Sequence, residues 1–236
     1  MKLAVSNLAF ENIHEITDVK LLECVFSKIG PILDLEIKDI VHWKSQLPEN
    51  IIPYSVQAIT YNTGIEIIKY NAQCITLVDK ILSFAKELKL KRIVFGSPKL
   101  RKNTPPTDLF KYIENQLDGT DLLFCLEPNA KIYGGDYFFN IQEIYEYIKE
   151  NNFKNISTMI DTHCSWLENR DTEKDIIDYK DLIAHVHASE IGLQEFKSFN
   201  EHREVATALQ KINYQHVVTL ESNTLENIDM FTKIYQ

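Results

Sequence analysis

The stretch DLLFCLEPN, residues 121–129, runs apolar without a break into Glu127 and stops at Pro128. An acid closing a buried strand is costly unless something compensates for its charge. Three later stretches have the same form: NISTMIDTHC (155–164) runs into Asp161 and His163, LIAHVHASE (182–190) into His187, and HVVTLES (216–222) into Glu221. If these strands end at one rim, a carboxylate, a carboxylate, an imidazole and a carboxylate converge there. That donor set describes a divalent-metal site.

Outward from these four ends the chain keeps a strand-then-helix rhythm. Residues 2–6 read as a short strand, followed by a helical pattern over about 18–29, with Val19, Leu22, Val25, Phe26 and Ile29 on one face before Gly30-Pro31. A second strand is expected at 33–37, then a proline-broken crossover of at most one helical turn, and a third strand at 55–60. Helices are predicted over 72–88, 107–117, 141–151, 172–179, 201–212 and about 225–234, with the fourth strand at 91–96. Eight strands alternating with seven or eight helices, in units of roughly thirty residues, is the pattern of an α/β fold of the (β/α)8 TIM-barrel type. The rival doubly wound sheet normally carries a glycine-rich turn after its first strand, and VSNLAF (5–10) has no glycine.

At 236 residues with 44% hydrophobic content, residues 1–236 suffice for one barrel domain, and no linker or low-complexity segment divides them. The formal charge of −9 argues against nucleic acid as a partner. The four cysteines, 24, 74, 125 and 164, are widely spaced and form no CxxC pair, which is intracellular usage. No stretch approaches the ~18 apolar residues of a membrane span. The expectation is a soluble cytoplasmic protein with no membrane partner, and a homo-oligomer is compatible with the sequence.

Three carboxylates and one imidazole suit Mn²⁺, the expected ion, and equally Mg²⁺, Co²⁺ or Zn²⁺. One such ion lowers the cost of an enediolate made from an α-hydroxy carbonyl compound. Glu127 and Glu221, from opposite sides of the ring, are then the catalytic pair, one removing a C–H proton and the other returning it. Taken singly, a strand-end acid also serves as a helix N-cap, and Asp161 ahead of a polar loop suits that. His185 reads as a structural histidine on the same face as His187. The only dense basic cluster, Lys99, Arg101 and Lys102, follows the fourth strand. It is either a rim contact for a phosphate or carboxylate or a solvated loop. Tyr133 and Asp136 around Gly134-Gly135 suggest a lid or an ordinary turn, and Asn7 and Gln57 at strand ends are candidates to bond substrate hydroxyls. Cys164 reads as a packed thiol.

In this order VSNLAF, VFGSPKLR (94–101), CLEPNAKIYGGDYF (125–138), MIDTHC, HVHASE and TLES resemble the xylose isomerase-like barrels, the group of sugar-phosphate isomerases and epimerases, ketose 3-epimerases and an apurinic endonuclease branch. The resemblance covers essentially the whole chain. It implies Glu127, Asp161, His187 and Glu221 as metal ligands, the two glutamates as acid and base, and His163 and Glu190 as substrate contacts. The histidine here follows the aspartate as DxH, where the family often has DxxH, and Leu193 stands near the place of an arginine that some epimerases carry. His42 is a candidate for an extra endonuclease histidine, but AITYN (58–62) supplies none and no second DxH follows HVHASE. The implied activity is a metal-dependent isomerase or epimerase of a sugar or sugar phosphate. A dehydratase or lyase of the same architecture and a non-catalytic sugar-binding barrel are the alternatives, and DNA cleavage is not expected.

Overall fold

A computed structural model describes residues 1–9, 19–67 and 69–236. Eight parallel strands close into a barrel in sequence order: β1 (Lys2–Ser6), β2 (Leu21–Val25), β3 (Ile52–Gln57), β4 (Arg92–Phe95), β5 (Leu123–Leu126), β6 (Ile156–Asp161), β7 (Ile183–Ser189) and β8 (Val217–Glu221), with β8 pairing back onto β1. The connecting helices are α1 (Ile37–Ser45), α2 (Ala72–Leu88), α3 (Thr107–Leu117), α4 (Ile141–Asn151), α5 (Thr162–Leu167), α6 (Thr172–Asp178), α7 (Phe199–Lys211) and α8 (Ile228–Tyr235). This is the (β/α)8 barrel that the rhythm predicts. No described helix is long and apolar enough to cross a membrane.

The amphipathic helices form where their spacing places them. α2 starts at Asn71, whose side chain accepts from the Cys74 amide, and ends at Lys89 in the left-handed conformation. Asn140 caps α4 in the same way, through Glu143. Their apolar faces, with Leu77, Ile81 and Leu88 on α2 and Ile144 and Ile148 on α4, pack against the outside of the barrel.

The first third of the chain departs from the sequence reading. The expected helix over 18–29 is the strand β2 followed by one 3-10 turn, Phe26–Lys28; its first position, Asp18, lies outside the described residues, as does Phe10 of VSNLAF. A strand buried on both faces reads as a continuous apolar run, and over so few residues Leu22, Val25 and Phe26 mimic helical spacing. The strand expected at 33–37 is a turn that places Leu35 in the core and leaves Leu33 exposed. The expected irregular crossover holds the nine-residue helix α1, opened by a capping box between Glu36 and Asp39. β3 begins and ends three residues earlier than expected, closing at Gln57 because Ala58 turns to positive φ.

Strand alternation sorts the barrel interior into layers. The last inward step of each strand or the residue just after it, and in β7 the inward step before the last, brings Ser6, Val25, Gln57, Gly96, Glu127, Asp161, His187 and Glu221 to the C-terminal rim. Two residues earlier stand Ala4, Glu23, Ser55, Val94, Cys125, Met159, His185 and Thr219. That inner layer is apolar on one side, where Val94, Cys125 and Met159 pack together, and polar on the other.

Candidate metal centre

The four strand-end residues meet. One ligand atom each from Glu127, Asp161, His187 and Glu221 lies within 4.8 Å of all the others. His187 Nδ1 is 3.1 Å from Glu127 Oε1 and 3.1 Å from Glu221 Oε2, yet it makes no hydrogen bond. All four residues are buried, none more than 7% exposed.

Each acid is held from behind. Asn129 Nδ2 donates to Glu127 Oε2 at 3.0 Å. Gly96 makes room for that oxygen, since a Cβ on Gly96 would stand 2.1 Å from it. Asp161 Oδ1 accepts from the Cys164 amide at 3.0 Å and the Ser189 hydroxyl at 2.9 Å, and meets His163 Nδ1 at 3.0 Å. Asp161 is thus the N-cap of α5 and a member of the rim cluster at once, and the three contacts share Oδ1.

Below the cluster lies Glu23, a residue to which the sequence reading gave no role. Its fully buried carboxylate stands 2.8 Å from His187 Nε2 through Oε1 and 2.9 Å from His185 Nε2 through Oε2, and Oε2 accepts from the Ser55 hydroxyl at 2.8 Å. The available signal was an acid inside the apolar run LLECV, the same signal that marks Glu127.

The electrostatics ask for a cation. Burial raises Glu221, with the neighbouring Glu127 and Asp161 charges adding to the effect against His187. Burial opposes the charged form of His187, but Glu221 and Glu23 reverse this and carry it well above its ordinary value. Burial acts to raise Asp161, and His163 overrides it to hold the carboxyl at about 2; the same pairing, against burial, lifts His163 to about 9. Three buried carboxylates around an imidazole nitrogen with no hydrogen bond form a donor set that fits one divalent ion.

A cavity of about 460 Å³ opens above the cluster, lined among others by Glu127, Glu221, Gln57, Gly96, Ser97 and Lys28. Gln57 Nε2 donates to the Ser6 hydroxyl at 2.9 Å. Asn7 is turned to the backbone instead, accepting from the Val25 amide at 2.8 Å. Tyr133 reaches His163, hydroxyl to Nε2 at 3.0 Å. The turn after Tyr133 is held by the 101–103 segment, through Lys102 Nζ to the Gly134 carbonyl and the Asn103 amide to Asp136.

The other expected contacts lie apart from the cavity. Lys99 is exposed. Arg101 is fully buried, with Nη2 donating to the Phe95 carbonyl at 2.7 Å and Nε to that of Gly96 at 3.2 Å, so its guanidinium clamps the end of β4. Glu190 accepts from the amides of Lys197 and Ser198 and the Ser198 hydroxyl, closing its own loop. Cys164 is buried and its thiol is pushed up by burial, which fits a packed, inert thiol. His42 lies on the exposed face of α1 beside Gln46, outside the cluster.

No family model matches the sequence, and no curated protein does. Solved structures match along nearly the full chain. A 3-keto-D-glucoside 4-epimerase from E. coli shares 17% identity at a TM-score of 0.74, covering 99% of this chain and 98% of that one. A D-psicose 3-epimerase from Clostridium cellulolyticum H10 shares 16% at 0.74, covering 100% and 90%. An AP endonuclease of family 2 from Brucella melitensis shares 15% at 0.73, covering 95% and 94%. These likenesses show a shared fold, the (β/α)8 TIM barrel.

Proposed function

We infer that this chain is a divalent-metal-dependent epimerase or isomerase of a sugar or sugar derivative, with Glu127, Asp161, His187 and Glu221 holding the ion and Glu127 and Glu221 moving the proton. The observation that carries this reading is that both glutamates line one cavity while flanking the same imidazole nitrogen. Structural neighbours that act as sugar epimerases support it. Mn²⁺ is the proposed ion. When bound, it supplies positive charge beside the oxygens of a hydroxy-carbonyl substrate, which makes the adjacent C–H more acidic.

The remaining steps belong to the chain. Glu127 and Glu221 come from β5 and β8, on different sides of the barrel, so they approach a bound sugar from two directions. One takes the proton from carbon and the other delivers one to the opposite face or to the neighbouring atom, and the roles exchange in the reverse direction. His163, held by Asp161 and touched by Tyr133, is the proposed contact for a substrate hydroxyl. Gln57 is a second, from the cavity wall. The cavity volume is within the range of small-molecule sites. The formal charge of −9 disfavours the nucleic-acid substrate of the endonuclease neighbour.

The test is exchange of a carbon-bound proton. Ketoses, keto-glycosides and their phosphates are incubated with Mn²⁺-loaded protein in D2O, and deuterium is located by NMR. Incorporation next to a carbonyl, lost in Glu127→Gln and Glu221→Gln, supports the reading. A product lighter by one water would move the assignment to a dehydratase, and no exchange with any substrate while metal is bound would refute it.

A further inference from the structure

We propose that Glu23 is a positioning residue for the metal centre: through His187 Nε2 it fixes the imidazole so that the Nδ1 lone pair faces the three rim carboxylates. The inference rests on the metal reading above. His187 carries its two ring nitrogens into two different acidic environments. Nδ1 lies 3.1 Å from both Glu127 and Glu221, whereas Nε2 points down the barrel to Glu23 Oε1 at 2.8 Å. Neither Nε2 nor Oε1 makes a hydrogen bond among the described residues, so the 2.8 Å ion-pair contact with Glu23 Oε1 is what a proton on Nε2 meets. A ligating imidazole must give up the proton on the ligating nitrogen and keep the other, and an acceptor behind the ring selects that tautomer.

Glu23 is itself placed with little freedom. Oε2 takes the Ser55 hydroxyl at 2.8 Å and faces His185 Nε2 at 2.9 Å, and that same nitrogen meets the Thr219 hydroxyl at 3.1 Å. Residues of β3 and β7 therefore hold the carboxylate of a β2 residue with no solvent exposure, and Thr219 of β8 braces His185 behind it. An unpaired carboxylate in a barrel interior is strongly disfavoured, and an apolar residue would fill this place at lower cost. Its presence directly behind a candidate ligand is explained if it orients that ligand.

The experiment compares wild type with Glu23→Gln and Glu23→Met. Mn²⁺ affinity is measured by chelator competition, melting temperature is measured without metal, and the Zn²⁺-loaded proteins are followed by ¹H–¹⁵N correlation of the histidine rings. Affinity should fall about 10-fold in the Gln variant and up to about 100-fold in the Met variant, the usual range for losing a partner of a ligating histidine. The His187 Nε2–H signal of wild type should weaken or shift in both. A lower melting temperature with unchanged affinity would make Glu23 a purely structural residue and overturn the inference. Wild type that binds no Mn²⁺ overturns the metal reading and this inference with it, whereas equal binding by all three proteins overturns this inference alone. Should neither variant fold, the Zn²⁺-loaded wild type decides: a proton on Nδ1 instead of Nε2 refutes the proposal.

Discussion

Replacing Gly96 by Ala should disable the centre while leaving the barrel folded. The new Cβ would stand 2.1 Å from Glu127 Oε2, 3.3 Å from its Cδ and 3.9 Å from Asn129 Oδ1. A carbon and an oxygen settle no closer than about 3.3 Å, so one partner must retreat by roughly 1 Å. The backbone is poorly able to do so, because buried Arg101 binds the carbonyls of both Phe95 and Gly96. The flexible end of Glu127 yields instead. Its retreat breaks the 3.0 Å bond from Asn129 and draws Oε1 from its place beside His187. Losing one hydrogen bond to a charged group costs about 1.5–3 kcal/mol, which a barrel of this size registers as a melting shift of several degrees. A misplacement of about 1 Å in a reacting group costs on the order of 100-fold in rate. Gly96→Ala should therefore melt as a cooperative fold, bind Mn²⁺ more weakly and exchange substrate protons about 100-fold more slowly. Wild-type affinity and exchange would refute the reasoning, and a variant that does not fold would show that the end of β4 yields before Glu127 does.

Three further outcomes follow from the same geometry. Glu127→Gln and Glu221→Gln should each lower deuterium exchange by about 10²–10⁴, the usual contribution of one acid–base group, and NMR of the substrate checks this. In the metal-free chain the His163–Asp161 pair should stabilise the fold over a defined pH window. His163, raised from 6.5 to about 9, contributes fully below 6.5 and loses its contribution as pH rises through about 9; Asp161, lowered from 3.8 to about 2, contributes above 3.8 and loses it as pH falls through about 2. The melting-temperature gap between wild type and His163→Gln should thus be widest between pH 3.8 and 6.5, and a flat profile would contradict the pairing. Glu190→Gln should cost about 1.5–3 kcal/mol at neutral pH by weakening the bonds from Lys197 and Ser198. Burial works against the Glu190 charge, but His202 and the loop donors bring its carboxyl from 4.5 to about 2, so the stability loss should close as pH falls from 4.5 through about 2. Unchanged stability with lost activity would instead put Glu190 on the substrate.

The second half of the chain was legible because its acids and imidazole stand where apolar runs end, and a strand end is a position that a sequence exposes. Asp161, His187 and Glu221 close or nearly close β6, β7 and β8, and Glu127 follows β5 by one residue. In the first half that cue was missing. Glu23 lies in the middle of β2, and the flanking Leu22, Val25 and Phe26 fit helical spacing as well as a doubly buried strand. The role of Arg101 was hidden for a different reason. In sequence it belongs to a polar loop, and only the closed barrel shows that the carbonyls ending β4 are its acceptors.

The two kinds of acid are linked by one physical cause. An ionised carboxylate inside an apolar run is tolerated only if the fold brings it a positive or proton-bearing partner. For Glu127 and Glu221 at the rim that partner is His187 Nδ1 from one side, with the cavity open on the other. Two residues lower there is no opening, and burial alone would raise Glu23, yet His187 and His185 hold its carboxyl far below the usual range. A single imidazole thus faces both levels. Glu127, Glu221 and Glu23 therefore all mark the neighbourhood of His187, and the distance of each from its strand end tells whether it faces the cavity or supports the ring from behind.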